Sequence, residues 1–557
     1  MMPIFLISAL LSLFAQANAQ VAHQYRISGV VVDSVTNVPV PRAQVSISLG
    51  NDAATATAGD DGRFVLAGLQ AGKYTLSAAA PGYVREAYNQ HGAFSIGIAV
   101  GDGQDSEHLI FRLDPQAIIY GRVMDDRGEP VRSAQVQLFA SERVGGRRAK
   151  FVHSQMQTND LGEYRFAHLL PGKYYVVVEA RPWYAETQLF MQTRQNSGFG
   201  GNRRRSVFVS GAGADSDPVL DVVYPTTFYP GVTDERSSEE LTLGAGDQMQ
   251  ANITLQAVPA AHLLLTGLPQ GEGNTLSVGT AQKIFGTFSS SMGTAFGQIS
   301  PGEYEVAGLP PGKVTLVVNT NRGNEWTSRT IEADTSLGGT IDASALQTAA
   351  KVSGQVFLRA GTTEVGPGQI ILVNATAGAP PGANATIQGD GTFHFPEVQP
   401  GTYRIQVNLR SGGYFVQRIS AENANVSGRE VTIGAASEVN LTVSMGQGLS
   451  QVTGIVHQND KPKAGVMVLL LPESGLEIEE DSRMDESDSD GTFRLAGILP
   501  GDYTLLAIND GWDLDWAKPG ALKAYLPAGQ RLTIGPNQSM KVTAQAQDNA
   551  ATRHKEQ

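Results

Sequence analysis

The chain has 557 residues, no cysteine and a formal charge of −13 at pH 7. Lack of cysteine excludes disulfides, thiolate metal sites, cysteine nucleophiles and a lipidated cysteine anchor, and the negative charge argues against a nucleic-acid partner. With 63 Gly, 27 Pro and no sustained 3.6-residue apolar period, the composition predicts an all-β protein of several domains, built from short strands and turns.

The chain opens on a short apolar run, Pro3 to Phe14, followed by the small-x-small triplet Ala17-Asn18-Ala19. This reads as a signal peptide over residues 1–19, so the expected location is secreted, periplasmic or envelope-associated. No later apolar stretch reaches the ~20 residues of a membrane helix, so no transmembrane segment is expected in the mature chain.

Five copies of one pattern follow: a polar turn ending in glycine, an aromatic strand, a second turn glycine ten residues on, and another strand. The glycine pairs are Gly62 and Gly72, Gly162 and Gly172, Gly302 and Gly312, Gly391 and Gly401, and Gly491 and Gly501. Residues such as Tyr164, Phe166, Tyr174 and Val176 alternate at period two, and each copy reads as a β-hairpin whose glycines are structural. Successive first glycines stand 100, 140, 89 and 100 residues apart, which predicts five tandem modules, each large enough for its own core.

Module one (24–115) opens with the strand Ile27 to Val32, continues through Ala43 to Ile47, and ends in two strands about Gly101-Asp102-Gly103, read as a hairpin turn. Module two (116–257) restarts at Ile119-Tyr120-Gly121-Arg122-Val123 and carries a long insertion, 181–224, with Trp183, Tyr184 and a glycine-rich stretch at 197–202. Module three (258–349) diverges most. Module four (350–446) and module five (447–547) return to type with Val352-Ser353-Gly354 and Val452-Thr453-Gly454, and a polar tail occupies 548–557. Linkers of a few residues predict modules that restrict one another in an elongated series.

A strand with a central glycine, an Ala-x-Val strand, a turn ending in Asp-Gly before an aromatic, and a Pro-Gly-x-Tyr strand together resemble carboxypeptidase regulatory-like domains. The resemblance implies seven-stranded, transthyretin-like (prealbumin-like) β-sandwiches, a fold grouped with starch-binding-type domains and similar to the B-type repeats of collagen adhesins. It implies fold far better than function. The family takes its name from a domain appended to zinc carboxypeptidases, and the resemblance implies the appendage without the enzyme.

The residues offer no catalytic set, and no cofactor or metal is expected. His394-Phe395-Pro396-Glu397 has the His-x-x-Glu spacing of metallocarboxypeptidase ligands, but it falls within the repeated pattern and lacks a third ligand. Asp485 to Gly491 resembles the start of a calcium loop, yet Gly497 stands where the bidentate carboxylate belongs. The acidic stretch 477–490 reads as a solvated connection. Arg147-Arg148 and Arg203-Arg204-Arg205 read as solvated loop charge. Tyr88, Tyr229 and Tyr525 read as packing residues.

Tryptophan is scarce, with four in the chain, and two of these lie in Trp512-Asp513-Leu514-Asp515-Trp516. The pair reads either as a sugar-stacking platform with the carboxylates as hydroxyl acceptors, or as caps on sandwich and interface; Trp183-Tyr184 occupies the matching place in module two. The expected function is a non-catalytic secreted or periplasmic protein for carbohydrate binding, adhesion or envelope architecture, with a polysaccharide or cell-envelope protein as partner. The alternative is an accessory chain of a separate hydrolase or outer-membrane transporter.

Overall fold

The computed structural model describes residues 25–49, 52–185, 220–268, 274–291, 295–322, 325–337, 339–343, 349–358, 367–375, 382–410, 413–435, 437–473 and 481–549. The expected signal peptide, most of the 181–224 insertion, Arg203 to Arg205, residues 477–480 and the tail from 550 lie outside them.

The described strands form five pairs of facing sheets and one two-stranded sheet, Val222–Val223 with Val258–Pro259, between the second and third pairs. In the first pair, Arg63–Leu69, Tyr25–Asp33 and Leu109–Leu113 make one sheet. The other holds Asp52–Thr57, Gln44–Leu49 and Gly72–Ala79, with the short Glu86–Ala87 and Ile98–Val100 both against Gly72–Ala79. The opening strand runs antiparallel to the fourth and parallel to the last. This arrangement repeats at Ala117–Asp125, Ala261–Thr266, Ala350–Phe357 and Ser450–Gln458. Because first and last strands are parallel, the chain leaves each sandwich at the end opposite its entry, ready to begin the next.

Each sheet pair encloses its own apolar cluster. Val31, Leu76, Ile98 and Phe111 are fully buried in the first, and Val352, Ile370, Leu441 and Val443 in the fourth. Removing each such side chain from water contributes about 1.5–3 kcal/mol, so a module has its own driving force to fold.

The repeated pattern is not a hairpin. Arg63–Leu69 pairs with the opening strand, whereas Gly72–Ala79 pairs with Gln44–Leu49 in the opposite sheet. The same crossing occurs in every module. Alternation could not reveal this, because Phe64 and Leu66 point into the core from one sheet while Tyr74 and Leu76 point into it from the other. The strands around Gly101-Asp102-Gly103 likewise separate, with Ile98–Val100 in one sheet and Leu109–Leu113 in the other.

Two devices make the crossing. Before it, Gly68, Gly308, Gly497 and, at the matching place, His168 adopt positive φ of 78°, 73°, 68° and 58°, where the register of the pairing shifts. A bulge of this kind bends a strand out of its sheet. After it, a tyrosine two places beyond the second glycine donates its hydroxyl proton back to the carbonyl four residues earlier. The bonds are Tyr74 to Gln70 (3.0 Å), Tyr174 to Leu170 (2.9 Å), Tyr403 to Gln399 (2.8 Å) and Tyr503 to Leu499 (2.9 Å). A Cβ at Gly172 or Gly401 would stand 3.4 Å from that ring, an ordinary contact, so the ring folds back directly over the glycine.

Module three has Val314 in place of the tyrosine. There the carbonyl of Pro310 is reached by the Thr335 hydroxyl at 2.8 Å, from a different part of the module. A carbonyl shut away from water needs a donor, and a different residue supplies it.

The first glycine of each pair has its own reason. Gly62, Gly162, Gly302, Gly391 and Gly491 have φ between 71° and 86°. At Gly162 an added Cβ would also lie 2.4 Å from the Val123 carbonyl oxygen. The opening-strand glycines answer a separate demand: a Cβ at Gly29, Gly354 or Gly454 would lie 2.2–2.4 Å from a carbonyl oxygen of the parallel last strand, and one at Gly121 would lie 2.1 Å from that of Ala251, between the two short parallel strands that close module two. Each faces an aromatic across the antiparallel side, Phe64, Tyr164, Phe393 or Phe493.

Seven strands in this order form the frame common to all five modules, with short additions. Tyr503 is fully buried, so Tyr503→Phe should leave the Leu499 carbonyl unsatisfied and destabilise module five by about 1–3 kcal/mol. Thr335→Val should do the same to module three. Calorimetry of the full chain would check both, and unshifted transitions would show that the corner carbonyls find other donors.

Candidate functional site

The residues singled out in module five converge on module junctions. After Gly501–Ile508 the chain makes a short 3-10 turn at Gly511–Asp513 and a second at Leu526–Ala528. This segment lies over the outer face of the module-five sheet. Met467, Leu469, Leu471, Leu506, Ile508, Trp516, Leu522 and Tyr525 form a buried cluster there, separate from the sandwich core.

Trp516 is 7 % exposed. Its indole carbons lie 2.3 Å from where a Cβ of Gly146 would stand, so glycine in the turn between two strands of module two admits the ring. Beside it Arg143 binds Asp515 (Nε, 3.1 Å), Asp513 (Nη1, 3.0 Å) and the Asp513 carbonyl (Nη2, 2.6 Å), while the Ala517 amide donates to the Gly146 carbonyl at 3.1 Å. Lys518, through its hydrogen bond, and Arg143 hold the Asp515 carboxyl below its usual range. Both carboxylates expected to accept sugar hydroxyls are engaged by an arginine of module two.

Trp512 faces module one. Its ring is stacked on His91 at 5.0 Å and 6°, with Phe94 at 5.6 Å, and its indole nitrogen donates to the Gly465 carbonyl at 3.4 Å. His91 Nδ1 lies 3.0 Å from Glu486 Oε1, whose side chain is 1 % exposed. Nearby, Lys73 binds Asp488 (2.5 Å), Asp490 (3.5 Å) and the Thr492 hydroxyl. Backbone bonds stitch the same seam, from the Ser489 amide to the Gly97 carbonyl and from the Gly97 amide to Asp488. The acidic run that resembles a calcium loop is thus spent on Lys73, His91 and its own turn. Among the described residues, no group of three or more His, Cys, Asp or Glu side chains is placed to hold a metal ion.

The elongated series expected from the short linkers is therefore not what the chain forms. Module five returns to contact modules one and two, with Trp512 on His91 and Phe94, Trp516 against Gly146, and Lys73 and Arg143 paired to its carboxylates. Module two is joined to module three by a similar device. Phe139, Tyr175, Val177, Phe228 and Ile284 are buried together with Phe285 against them, and the Lys150 ammonium sits 3.5 Å from the centre of the Tyr175 ring. At the same junction His262 is held between Asp221 (2.7 Å) and Glu305 (2.6 Å).

The other residues singled out in the sequence are dispersed. Trp183 is 59 % exposed and meets Tyr184 edge to face at 5.8 Å. His394 points outward from its strand. Arg147 and Arg148 begin a long strand, Arg147–Gln157, rather than lying in a loop. Tyr88 and Tyr229 pack against the cores of modules one and two, and Tyr525 is buried with its hydroxyl donating to Asn549.

A signal for the junctions was present in the sequence. Strands with one face in the core alternate, as Gly72–Ala79 does, whereas Tyr174 to Val178 and Met467 to Leu471 are continuously apolar and buried on both faces. An unbroken apolar strand implies a cover on each side.

Two outcomes follow. Reversing charge at both seams, Lys73→Glu with Arg143→Glu, should detach module five while the sandwiches stay folded. Small-angle scattering should then show a larger radius of gyration with unchanged circular dichroism, and an unchanged radius would mean that apolar contact alone holds the closure. The second concerns Asp485, whose carboxyl burial pushes up to about 6. The folded chain then holds a proton that the unfolded chain releases near pH 4, so this group's contribution to stability declines as pH rises from about 4 to 6. Asp485→Asn should raise the module-five melting temperature at pH 7.5 and leave it unchanged at pH 3.5; an equal shift at both would exclude ionisation as the cause.

Residues 26–113 and 118–199 match the family of the carboxypeptidase regulatory-like domain. No curated protein matches the chain. Among solved structures it is similar to a streptococcal ancillary pilin (14% identity, TM-score 0.21, covering 52% of this chain and 99% of that one). It is also similar to the Bacillus anthracis TIE protein (10%, 0.16, covering 74% and 68%) and to BcpA, the major pilin subunit of Bacillus cereus (11%, 0.14, covering 77% and 99%). With identities and TM-scores this low, none of these likenesses bears on what the chain does. The first two modules match the carboxypeptidase regulatory-like domain, and the strand order they share is repeated three more times along the chain.

Proposed function

We propose that this chain is a non-catalytic, exported binding scaffold that acts in the cell envelope or outside it, holding a polysaccharide or a cell-envelope protein. The observation that carries the reading is the closure of module five onto modules one and two. Aromatic rings, ion pairs and buried carboxylates are concentrated at the seams between sandwiches, where they fix modules relative to one another. A rigid array of this kind presents several loop surfaces at fixed spacing, which suits recognition of an extended polymer or a large partner. The apolar opening segment and its Ala17-Asn18-Ala19 triplet support export. Among the described residues no helix is long and apolar enough to cross a membrane.

The family that modules one and two match favours a second reading, an accessory chain that docks on a separately encoded hydrolase or outer-membrane transporter. The two separate by experiment. The purified full chain should show no peptide or glycoside hydrolysis that a single substitution abolishes, and it should be retarded in gels containing an envelope polysaccharide. Recovery of one stoichiometric enzyme or transporter in a pull-down, without retardation, would favour the accessory role. Turnover lost on a point substitution would overturn both.

A further inference from the structure

Module four departs from the common frame at one place. Between its fifth strand, Gly401–Leu409, and the strand Glu430–Ile433 it inserts two strands, Tyr414–Glu422 and Asn425–Ser427. Tyr414–Glu422 extends one sheet by pairing with Glu438–Gln447, and Asn425–Ser427 folds back on Glu430–Ile433 around Gly428 in the other. The additions wall a cleft of about 640 Å³ whose far side is module five, contributed by Asp481, Leu499 and Pro500. This volume falls within the ~300–1,000 Å³ of ordinary ligand clefts.

The lining is of two kinds. Phe415, Val416, Leu499 and Pro500 give apolar surface. Phe415 lies across from Gly446, where a Cβ would come within 2.5 Å of its ring, so the absence of a side chain there seats the aromatic. Gln417, Arg418, Ser427, Arg429, Glu430 and Asp481 give donors and acceptors. An apolar ring face beside alternating donors and acceptors suits a sugar, which has an apolar face and hydroxyls that both donate and accept.

The charges are unequal in availability. Asp481 is 4 % exposed and bound by Arg429 at 2.9 Å, and Glu430 meets Arg404 at 3.3 Å. Both acids are already matched. Arg418 is exposed, and a register shift between Val416 and Arg418 re-aims the strand at that point, a device common beside functional sites. It is the cleft cation best placed to receive a carboxylate from outside.

We propose that the cleft between modules four and five binds a short acidic oligosaccharide, with a sugar carboxylate at Arg418 and an apolar pyranose face on Phe415. The site rests on the glycan-binding form of the function proposed above, and supplies its ligand class and location.

Calorimetric titration of the full chain tests it, with tetragalacturonate as the acidic probe, maltotetraose as the neutral one and acetate as the bare carboxylate. Arg418→Glu changes an exposed residue, and Ser427→Trp fills the cleft from an exposed turn; melting temperatures report whether each variant remains folded. Tetragalacturonate should bind the native chain more tightly than maltotetraose, lose at least tenfold in affinity in both variants at unchanged melting temperature, and weaken with added salt. Acetate competing as well as tetragalacturonate at equal carboxylate concentration would reduce the site to an anion site and overturn the saccharide class. Tetragalacturonate binding that both folded variants retain would overturn the location while leaving glycan binding intact elsewhere. Absence of binding by tetragalacturonate, together with no polysaccharide retardation, would overturn the site and the glycan reading alike.

Discussion

Every module takes the chain from one sheet to the other at a single corner, and in four of them a tyrosine hydroxyl holds that corner on a turn carbonyl. A bulge lifts the fourth strand out of its sheet, and the tyrosine hydroxyl closes the corner on the carbonyl at Gln70, Leu170, Gln399 or Leu499. The net worth of one such hydrogen bond is modest, but an unpaired buried carbonyl costs more than the bond gains. Module three shows that the requirement is for a donor rather than for tyrosine, since Thr335 meets it there.

Once the sandwiches are formed, their outer faces decide the assembly. In modules one and four the fifth strands, Gly72–Ala79 and Gly401–Leu409, alternate in burial along their length. Modules two and five differ, with Tyr174 to Val178 and Met467 to Leu471 apolar on both faces. The extra faces are covered by aromatic contacts, Phe285 of module three on one and Trp516 within module five on the other. Ion pairs set register at these seams more than they supply energy, because Lys73 and Arg143 keep part of their solvation.

The cleft of module four illustrates how a new surface arises on a fixed frame. The seven-strand order is undisturbed, and the added strands occupy a connection that is short in module three and carries only 3-10 turns in module five. Variation falls where it does not disturb the corner, the parallel closing strand or the core.

The sequence by itself determined the local chemistry. Period-two alternation made the chain all-β, and the spacing of Gly62, Gly162, Gly302, Gly391 and Gly491 marked five repeats, because a turn at positive φ admits glycine at little cost. The opening-strand glycines were legible as a motif, although their reason, a carbonyl far along the chain such as Leu109 for Gly29 or Ala251 for Gly121, was not. Which sheet each strand joins was decided only in three dimensions: Phe64 and Tyr74 point into one core whether their strands pair with each other or face each other across it. The tryptophans show the same limit. Their scarcity in Trp512-Asp513-Leu514-Asp515-Trp516 marked the segment as special, but His91, Phe94, Arg143 and Gly146, the groups that cover and pair it, lie hundreds of residues away in the chain. Composition tells what a side chain can do; only tertiary packing determines which surface reaches it first.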